Sequence, residues 1–264
     1  MRDRFAVISD IHGNLEGLQA VLSALKKENV SDIICLGDVV GYGADPEVCW
    51  KLIKQRCSIC LKGNHEAILC GETDDSDCSN LGKQSAEWTR ENVSDDIREE
   101  LSELPWQMER FSAKFYHSTP NVEDGWPYLN RLEQIIAAFE STPSPLVFYG
   151  HTHRPRITIV NQSGAVVVDE MIQETKEFQV NLRDHRCYIN PGSAGQQRDT
   201  RTDVSFSVCT IADENAKIKV YRIPYKRFRA YRKIRKTGCG KAAATYLVRE
   251  KWRRDWFEFI DYRG

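Results

Sequence analysis

Two histidines, His151 and His153, lie one residue apart, directly after the short apolar run of residues 146–149. Histidine is scarce in this chain, with six in 264 residues, and it is the commonest metal-ligating side chain in proteins. The pair therefore indicates a metal site, although a polar turn with solvated histidines is the alternative. Three other histidines also follow short apolar runs, namely His12, His65 and His117, and this recurrence favours metal binding.

Carboxylates and an amide accompany these histidines. Asp10 precedes His12, Asn64 precedes His65, and Asp38 closes another apolar run. Carboxylate, imidazole and carboxamide groups together suit divalent manganese, iron, zinc or nickel, and they suit an all-oxygen calcium or magnesium site poorly. The set offers more ligands than one ion takes. Seven such side chains with one shared carboxylate are what a two-metal centre with a bridging hydroxide requires, so we expect hydrolysis at phosphorus.

Each candidate ligand lies at or just past the end of a predicted strand. The apolar runs cover residues 5–9, 32–36, 58–62, 114–117 and 146–149. The first three runs alternate with helical patterns, and such serial strand–helix units predict a parallel sheet. Ligands of open α/β sheets bind beyond the carboxyl ends of the strands. We therefore expect the candidate residues to meet at one rim of the sheet.

The remainder of the chain completes the predicted fold. From residue 156 onward the pattern is rich in strands with hairpin-like spacing, which predicts a second sheet packed on the first. The predicted fold class is therefore α/β, a two-sheet β-sandwich flanked by helices and containing βαβ units. We expect a single domain over residues 1–264, with a helical, cap-like insertion at about 70–112 and a C-terminal helical pair at about 226–260.

Bulk composition narrows the class of protein. A net charge of −1 and a pI near 6.6 give no overall attraction to nucleic acid or membrane. The chain has no apolar run of about 18 residues and no signal-peptide pattern, so we expect a soluble, cytoplasmic protein without membrane contact. The nine cysteines are expected to be reduced thiols. A zinc site built on Cys57 and Cys60 is disfavoured, because the later cysteine spacings are irregular.

One basic segment could contact nucleic acid. Seven lysines and arginines alternate with aromatic residues between positions 226 and 236, a pattern found in nucleic-acid-binding proteins. Phe228, Tyr231 and Ile234 recur every third residue, so a helix that docks its apolar face and solvates its charges explains the segment as well. We favour this second interpretation, which leaves nucleic acid as a disfavoured partner.

The motifs resemble those of the calcineurin-like metallophosphoesterase superfamily, in the same order along the chain. The family's Asp-x-His, Gly-Asp, Gly-Asn-His, isolated His and Gly-His-x-His motifs match Asp10/His12, Asp38, Asn64/His65, His117 and His151/His153. Two further segments, 37–43 and 190–199, are similar to the small prokaryotic phosphodiesterase-type branch. The resemblance covers nearly the whole chain.

The resemblance implies a role for each of these residues. It implies two divalent transition-metal ions per chain, manganese first, with iron, zinc or nickel as alternatives. Three residues hold each ion and one bridges them: Asp10, His12 and His153 on one ion, Asn64, His117 and His151 on the other, and Asp38 between. His65 is left as a non-ligand and matches the family's general acid.

One motif departs from the protein phosphatases of the family. These carry Gly-Asp-x-x-Asp-Arg-Gly, and this chain has Gly41 and Tyr42 in place of that Asp and Arg. We therefore expect a phosphodiesterase that acts on a phosphoester substrate, and we disfavour protein phosphatase activity. A catalytically silent scaffold on the same fold, or a hydrolase of nucleotides or nucleic acid, is the alternative. The eight intact positions favour the enzyme, and a homo-oligomer is compatible with the sequence.

Arg198 is the candidate for binding the substrate phosphate. It lies in the loop of residues 190–199, which is rich in glycine, serine and glutamine and follows a predicted strand. A guanidinium group offers two parallel donors to phosphate oxygens. The alternative is a surface loop in which Arg198 pairs with Asp199 or Asp203.

Overall fold

Three consecutive strand–helix units form one half of the first sheet. The computed structural model describes residues 2–76, 78–121, 125–239 and 241–248. The units run in the order β1 (Arg2–Ile8), α1 (Leu15–Lys27), β2 (Ile33–Cys35), α2 (Pro46–Arg56), β3 (Ile59–Cys60) and α3 (Asn64–Cys70). Because β1, β2 and β3 are parallel neighbours, the parallel arrangement predicted from the serial units is confirmed.

The local sequence explains the first two helices. The Asn14 side chain accepts a hydrogen bond from the backbone N–H of Gly17 at 3.0 Å and so caps α1. Leu18 and Leu25 follow at helical spacing and are buried against the first sheet. Pro46 occupies the first position of α2, where an absent N–H leaves no helical hydrogen bond unmade. Both helices therefore begin close behind the loops that carry candidate ligands.

The later strands complete two six-stranded sheets. They are β4 (Gln107–Arg110), β5 (Ala113–Tyr116), β6 (Leu146–Tyr149), β7 (Arg156–Asn161), β8 (Val166–Met171), β9 (Lys176–Asn181), β10 (His185–Asn190), β11 (Val204–Ala212) and β12 (Asn215–Ile223). The first sheet has the order β3-β2-β1-β11-β12-β9, and the second has the order β4-β5-β6-β10-β7-β8. In the second sheet β6 runs parallel to both β5 and β10, so β5 and β6 end at the same edge.

The hydrophobic core lies between the two sheets. The ring centroid of Phe5 in the first sheet lies 5.8 Å from that of Phe115 and 5.8 Å from that of Phe148 in the second, and all three rings are fully buried. Helices α1 and α2 cover the outer face of the first sheet, and α6 (Leu132–Phe139) covers that of the second. These four layers confirm the predicted α/β class, a two-sheet sandwich flanked by helices.

The segment after α3 is helical over part of its predicted length. Helices α4 (Asn80–Asn92) and α5 (Asp95–Ser102) lie within the predicted insertion at 70–112. Residues 107–110, predicted as part of that helical insertion, instead form β4, which pairs antiparallel with β5. The side chains of this edge strand are exposed or half-buried, so its sequence lacks the apolar alternation by which a strand is predicted.

The C-terminal helices are α7 (Arg227–Thr237) and α8 (Lys241–Thr245). Helix α7 ends at Gly238, whose φ of 82° is the left-handed conformation common at helix C-termini. The predicted helical pair extends to about residue 260, and its part after residue 248 lies outside the described residues. Among the helices of the described ranges, none is both long and apolar enough to span a membrane.

Candidate metal centre

The seven predicted ligands converge at one rim of the sandwich. Six of them form two buried groups, and the ligating atoms within a group lie within 4.8 Å of one another. The groups are Asp10, His12, Asp38 and His153 on one side, and Asp38, His117 and His151 on the other. The seventh, Asn64, places its Oδ1 3.2 Å from His117 Nε2. The buried Asp/His cluster is thus a metal-binding site in which Asp38 belongs to both groups.

The backbone at this rim is strained. Among the ten described non-glycine residues with positive φ, five are predicted ligands, with φ between 50° and 64°: Asp10, His12, Asp38, His151 and His153. Such left-handed conformations are costly for residues with a side chain, and they concentrate at functional sites. Here the sharp backbone turns at the strand ends aim the side chains toward one another.

Backbone carbonyl groups fix the orientation of three histidines. The contacts are His12 Nδ1 to Val40 O at 3.0 Å, His117 Nδ1 to Leu36 O at 2.9 Å, and His153 Nδ1 to Gln196 O. Because a carbonyl oxygen only accepts hydrogen bonds, each Nδ1 carries a proton. In the neutral ring, Nε2 is then left with its lone pair for a cation.

The facing nitrogens of His12 and His153 show that the site fits a cation. Their Nε2 atoms lie 3.0 Å apart, and burial lowers the pKa of both rings well below the usual value. Two neutral rings in this tautomer cannot donate to each other. Asp10 Oδ1 lies 3.4 Å from His153 Nε2, and it meets no hydrogen-bond donor of normal length and angle among the described residues. A divalent ion would satisfy all three groups.

Asp38 connects the two groups. Its Oδ2 atom lies 3.6 Å from His12 Nε2 and 3.3 Å from His117 Nε2, so one oxygen faces both histidines. The other oxygen, Oδ1, accepts a hydrogen bond from the backbone N–H of His65 at 3.0 Å. Burial disfavours the charged form of His117, but the charge and hydrogen bond of Asp38, together with the charges of Asp10 and Glu66, raise the pKa of His117 to about 9. A metal ion bound by His117 would replace that proton.

Glu66 supports the site without having been predicted to do so. Its buried carboxylate accepts hydrogen bonds of 2.8–3.1 Å from the backbone N–H groups of Asp38, Val39, Val40 and Gly63. These bonds hold the loop that presents Asp38. The sequence signal was an acid directly after the Gly-Asn-His motif, but an acidic residue is common in the first turn of any helix. Its type alone therefore did not reveal its role.

Aromatic rings and a glycine enclose His65. Its ring centroid lies 4.8 Å from that of His12 and 4.7 Å from that of Tyr42. A Cβ atom at Gly41 would lie 2.3 Å from His65 Nδ1, so this close approach requires glycine. Positions 41 and 42 thus support the imidazole by packing, where the protein phosphatases place a carboxylate and a guanidinium.

Arg198 lies beside the same site, against Tyr42 and Tyr128. Its Nη1 donates a hydrogen bond to the Tyr128 hydroxyl at 3.0 Å, and its guanidinium carbon lies 5.7 Å from the Tyr42 ring and 5.9 Å from the Tyr128 ring. After burial, its positive charge is the largest influence that lowers the pKa of His153.

The predicted alternative partners of Arg198 are engaged elsewhere. Asp199 pairs with Arg222, and Asp203 pairs with Arg201 at 3.3 Å. The Arg198 guanidinium itself donates to the Tyr128 hydroxyl at 3.0 Å and to Gln196 Oε1 at 3.5 Å.

Comparison with known proteins agrees with this geometry. The family model described as "Calcineurin-like phosphoesterase superfamily domain" matches residues 4–214 of this chain. An uncharacterized protein of Methanocaldococcus jannaschii is 32% identical over 243 residues, which cover 89% of this chain and 93% of that protein. A metallophosphoesterase from Sphaerobacter thermophilus has a crystal structure that matches with a TM-score of 0.77 and 26% identity, covering 94% of this chain and 100% of that one.

A second solved structure shares the fold. The crystal structure of a hypothetical protein from Pyrococcus horikoshii matches with a TM-score of 0.70 and 16% identity, covering 92% of this chain and 97% of that one. The chain therefore belongs to the calcineurin-like phosphoesterase superfamily, a metal-dependent family of hydrolases that act on phosphoesters. The predicted superfamily is confirmed, and the matched range includes every predicted site residue.

Proposed function

We propose that this protein is a dinuclear metal-dependent phosphodiesterase. The observation that carries the proposal is the position of Asp38, whose Oδ2 lies 3.6 Å from His12 Nε2 and 3.3 Å from His117 Nε2. A carboxylate shared by two ligand groups is typical of a two-metal centre. The mixed nitrogen and oxygen donors suit manganese, and they also suit iron, zinc or nickel.

The ligands divide into two sets around the shared carboxylate. We assign Asp10, His12 and His153 to one ion and Asn64, His117 and His151 to the other, with Asp38 common to both. When bound, such ions supply Lewis acidity toward phosphoryl oxygens and an acidified water as the nucleophile. The remaining side chains of the site must hold the phosphate and protonate the leaving oxygen.

His65 is the proposed general acid. Its ring packs on His12 and Tyr42, and its backbone N–H donates to Asp38, so the ring lies beside the ligand groups without belonging to either. Burial lowers the pKa of His65, which favours the neutral ring in the free protein. An anionic phosphate next to the ring would favour the protonated form. That form can donate its proton to the leaving oxygen.

Arg198 is the proposed phosphate-binding residue, and its setting favours a diester. Its guanidinium lies beside the uncharged rings of Tyr42 and Tyr128. A phosphomonoester carries more negative charge near neutral pH than a diester does. Because Tyr42 occupies the position where the protein phosphatases have an arginine, this site offers less positive charge to a monoester, and we infer a preference for diesters.

Metal analysis combined with a pair of aryl phosphates tests this function. The purified protein should bind about two divalent ions per chain. After reconstitution with manganese it should hydrolyse bis(p-nitrophenyl) phosphate faster than p-nitrophenyl phosphate, and a chelator should abolish both activities. A protein that binds two ions but cleaves neither ester would support the scaffold alternative. Absence of stoichiometric metal, with inertness after added manganese, would contradict the proposal.

A further inference from the structure

Two aromatic side chains lie against the metal-centre histidines on one side of the site. The Tyr128 ring stacks on His151, with centroids 4.2 Å apart and 28° between the ring planes. The Trp126 ring meets His117 edge-on, with centroids 5.5 Å apart. We refer to Trp126 and Tyr128 as the aromatic wall. Neither residue belongs to the ligand groups or to the acid–base machinery described above.

The segment that carries the aromatic wall is anchored between the two rings and directly after them. The Ser118 hydroxyl donates to Pro127 O at 2.8 Å, and the backbone N–H groups of Asn130 and Arg131 donate to the Gln134 side chain at 3.1 and 2.9 Å. Leu129 is buried in the outer core. The two rings therefore project from a fixed backbone, which suits the binding of a rigid partner.

Part of this aromatic surface faces water. Tyr128 is 46% exposed, and Trp126 is partly exposed, although each touches a buried histidine. Packing of the histidines alone would not require a tyrosine that leaves nearly half of its surface in contact with solvent. Aromatic rings bind other flat rings by offset stacking, and bases stack on such residues whatever their sequence. The wall thus presents a stacking surface beside the metal-binding histidines.

A cation adjoins this surface. Arg198 donates a hydrogen bond to the Tyr128 hydroxyl at 3.0 Å, so the guanidinium proposed to bind phosphate lies at the edge of the wall. A ligand that reaches both would have an anionic phosphate joined through a short linker to a flat aromatic ring. Nucleotides have this composition, whereas sugar phosphates lack the flat aromatic ring.

We propose that Trp126 and Tyr128 bind the nucleobase of a nucleotide-type phosphoester and so set the substrate class of this enzyme. The inference rests on the proposed function for the phosphate end of the ligand. The wall adds affinity for the base, and the metal centre and Arg198 hold the phosphate.

Calorimetric titration of the metal-loaded protein tests the proposal with three probes: adenosine 5′-monophosphate, ribose 5-phosphate and inorganic phosphate. Since stacking of one base on aromatic side chains contributes about 5- to 150-fold in affinity, the nucleotide should bind more tightly than the sugar phosphate by a factor in that range. Trp126→Ala and Tyr128→Ala should remove most of that difference. Trp126→Ala should leave binding of ribose 5-phosphate and of phosphate unchanged. Tyr128→Ala also removes the hydroxyl group that Arg198 contacts, so it should weaken these two probes as well, and the nucleotide more.

Conservative and control variants separate stacking from a structural role. Tyr128→Phe should keep most of the preference, because the ring is retained. Phe228→Ala removes an exposed aromatic ring on α7 and should leave all three affinities unchanged. Metal content is measured for every variant, since loss of metal would show that a ring acts by positioning His117 or His151.

The outcomes distinguish this inference from the proposed function. Equal affinity for the nucleotide and the sugar phosphate in the unchanged protein would overturn the inference, even if diester hydrolysis were observed. Equal weakening of all three probes in the alanine variants would also overturn it. Conversely, the protein could prefer the nucleotide through the aromatic wall and yet cleave no ester. That result would support the base-binding role of the wall and contradict the proposed phosphodiesterase activity.

Discussion

The strand-end rim and helix α7 both concentrate charged or metal-binding side chains, and they use them in opposite ways. At the rim, side chains such as Asp10, His12 and Asp38 are at most 1% exposed and face one another. On α7, Arg229 and Lys233 reach back to the buried carboxylate of Glu16 at 3.1 and 2.9 Å. The rim thus collects its polar groups into one buried site, whereas α7 uses two of its charges to fasten itself to α1.

This contrast shows which sequence signal predicts the candidate site. The basic segment had the higher density of charge, but its charges project in several directions around a helix. The rim residues are sparse along the sequence, and the parallel topology brings them to one edge because each follows a strand. Position relative to strand ends therefore predicted the site better than local charge density.

The largest loss of metal binding and of hydrolysis is expected from removing the shared carboxylate. Asp38→Asn should weaken binding of both ions by on the order of 100-fold or more and reduce hydrolysis to background, because Asp38 is proposed to ligate both. Metal analysis after dialysis checks this. Asp32→Asn is a matched control, since Asp32 lies before β2, at the opposite end from Asp38, and pairs with Arg110 at 2.9 Å. If Asp38→Asn kept both ions, the bridging role would be wrong.

Replacing the proposed general acid should have the next largest effect. His65→Asn should retain both ions and lose about 100- to 10,000-fold in turnover, the usual contribution of acid–base catalysis. The loss should be smaller for an ester with a better leaving group, since such a group needs less protonation. His185→Asn, at the start of β10, serves as the control. Loss of metal from His65→Asn would instead make His65 a ligand.

A smaller loss is expected at the edge of the site. Arg198→Ala should lower kcat/KM for the diester by about 1.5–3 kcal/mol, the contribution of a hydrogen bond to a charged group, without a change in metal content. Arg198→Lys should recover only part, because lysine lacks the two parallel donors. Arg201→Ala, three residues further along the chain, is the control, since Arg201 pairs with Asp203. Full activity of Arg198→Ala would exclude a role in phosphate binding.

These residues also show how far the sequence could predict the site. The convergence of the proposed ligands was predictable because residue type and strand-end position both mark these residues. Glu66 was not, because its role depends on four backbone N–H groups from two separate loops. Trp126 and Tyr128 were also missed, since only the course of the loop between β5 and β6 brings them onto His117 and His151.

The fold, like the site, has parts that could be predicted from the sequence and parts that could not. The βα units follow from hydrophobic periodicity and local capping, as at Asn14. The edge strand β4 was predicted within a helical insertion, because its sequence Gln-Met-Glu-Arg has one apolar residue and therefore no apolar alternation. On α7, Phe228 was predicted to dock and is 56% exposed, whereas Ala230 and Ile234 are buried. A period of three residues drifts around a helix with 3.6 residues per turn, so it identified the docked face incompletely.

The smallest catalytic effect is expected from substitutions on α7. Two double alanine variants test this expectation. Lys226 and Lys236 are exposed, whereas Arg229 and Lys233 pair with Glu16, and Lys233 also pairs with Asp45 at 2.7 Å. Both double alanine variants should hydrolyse the diester within about twofold of the unchanged protein, since α7 supplies none of the proposed ligands, the proposed acid or the proposed phosphate-binding residue.

The two variants should differ in stability. Removing Arg229 and Lys233 leaves the buried Glu16 carboxylate without these partners, so the free energy of unfolding should fall by about 1–2 kcal/mol. Removing Lys226 and Lys236 should leave it unchanged, and urea titration measures both. The same variants test the nucleic-acid alternative in a binding assay at several salt concentrations. If the unchanged protein bound RNA tightly and with a steep salt dependence, and the exposed-lysine variant lost that binding, α7 would be a nucleic-acid interface.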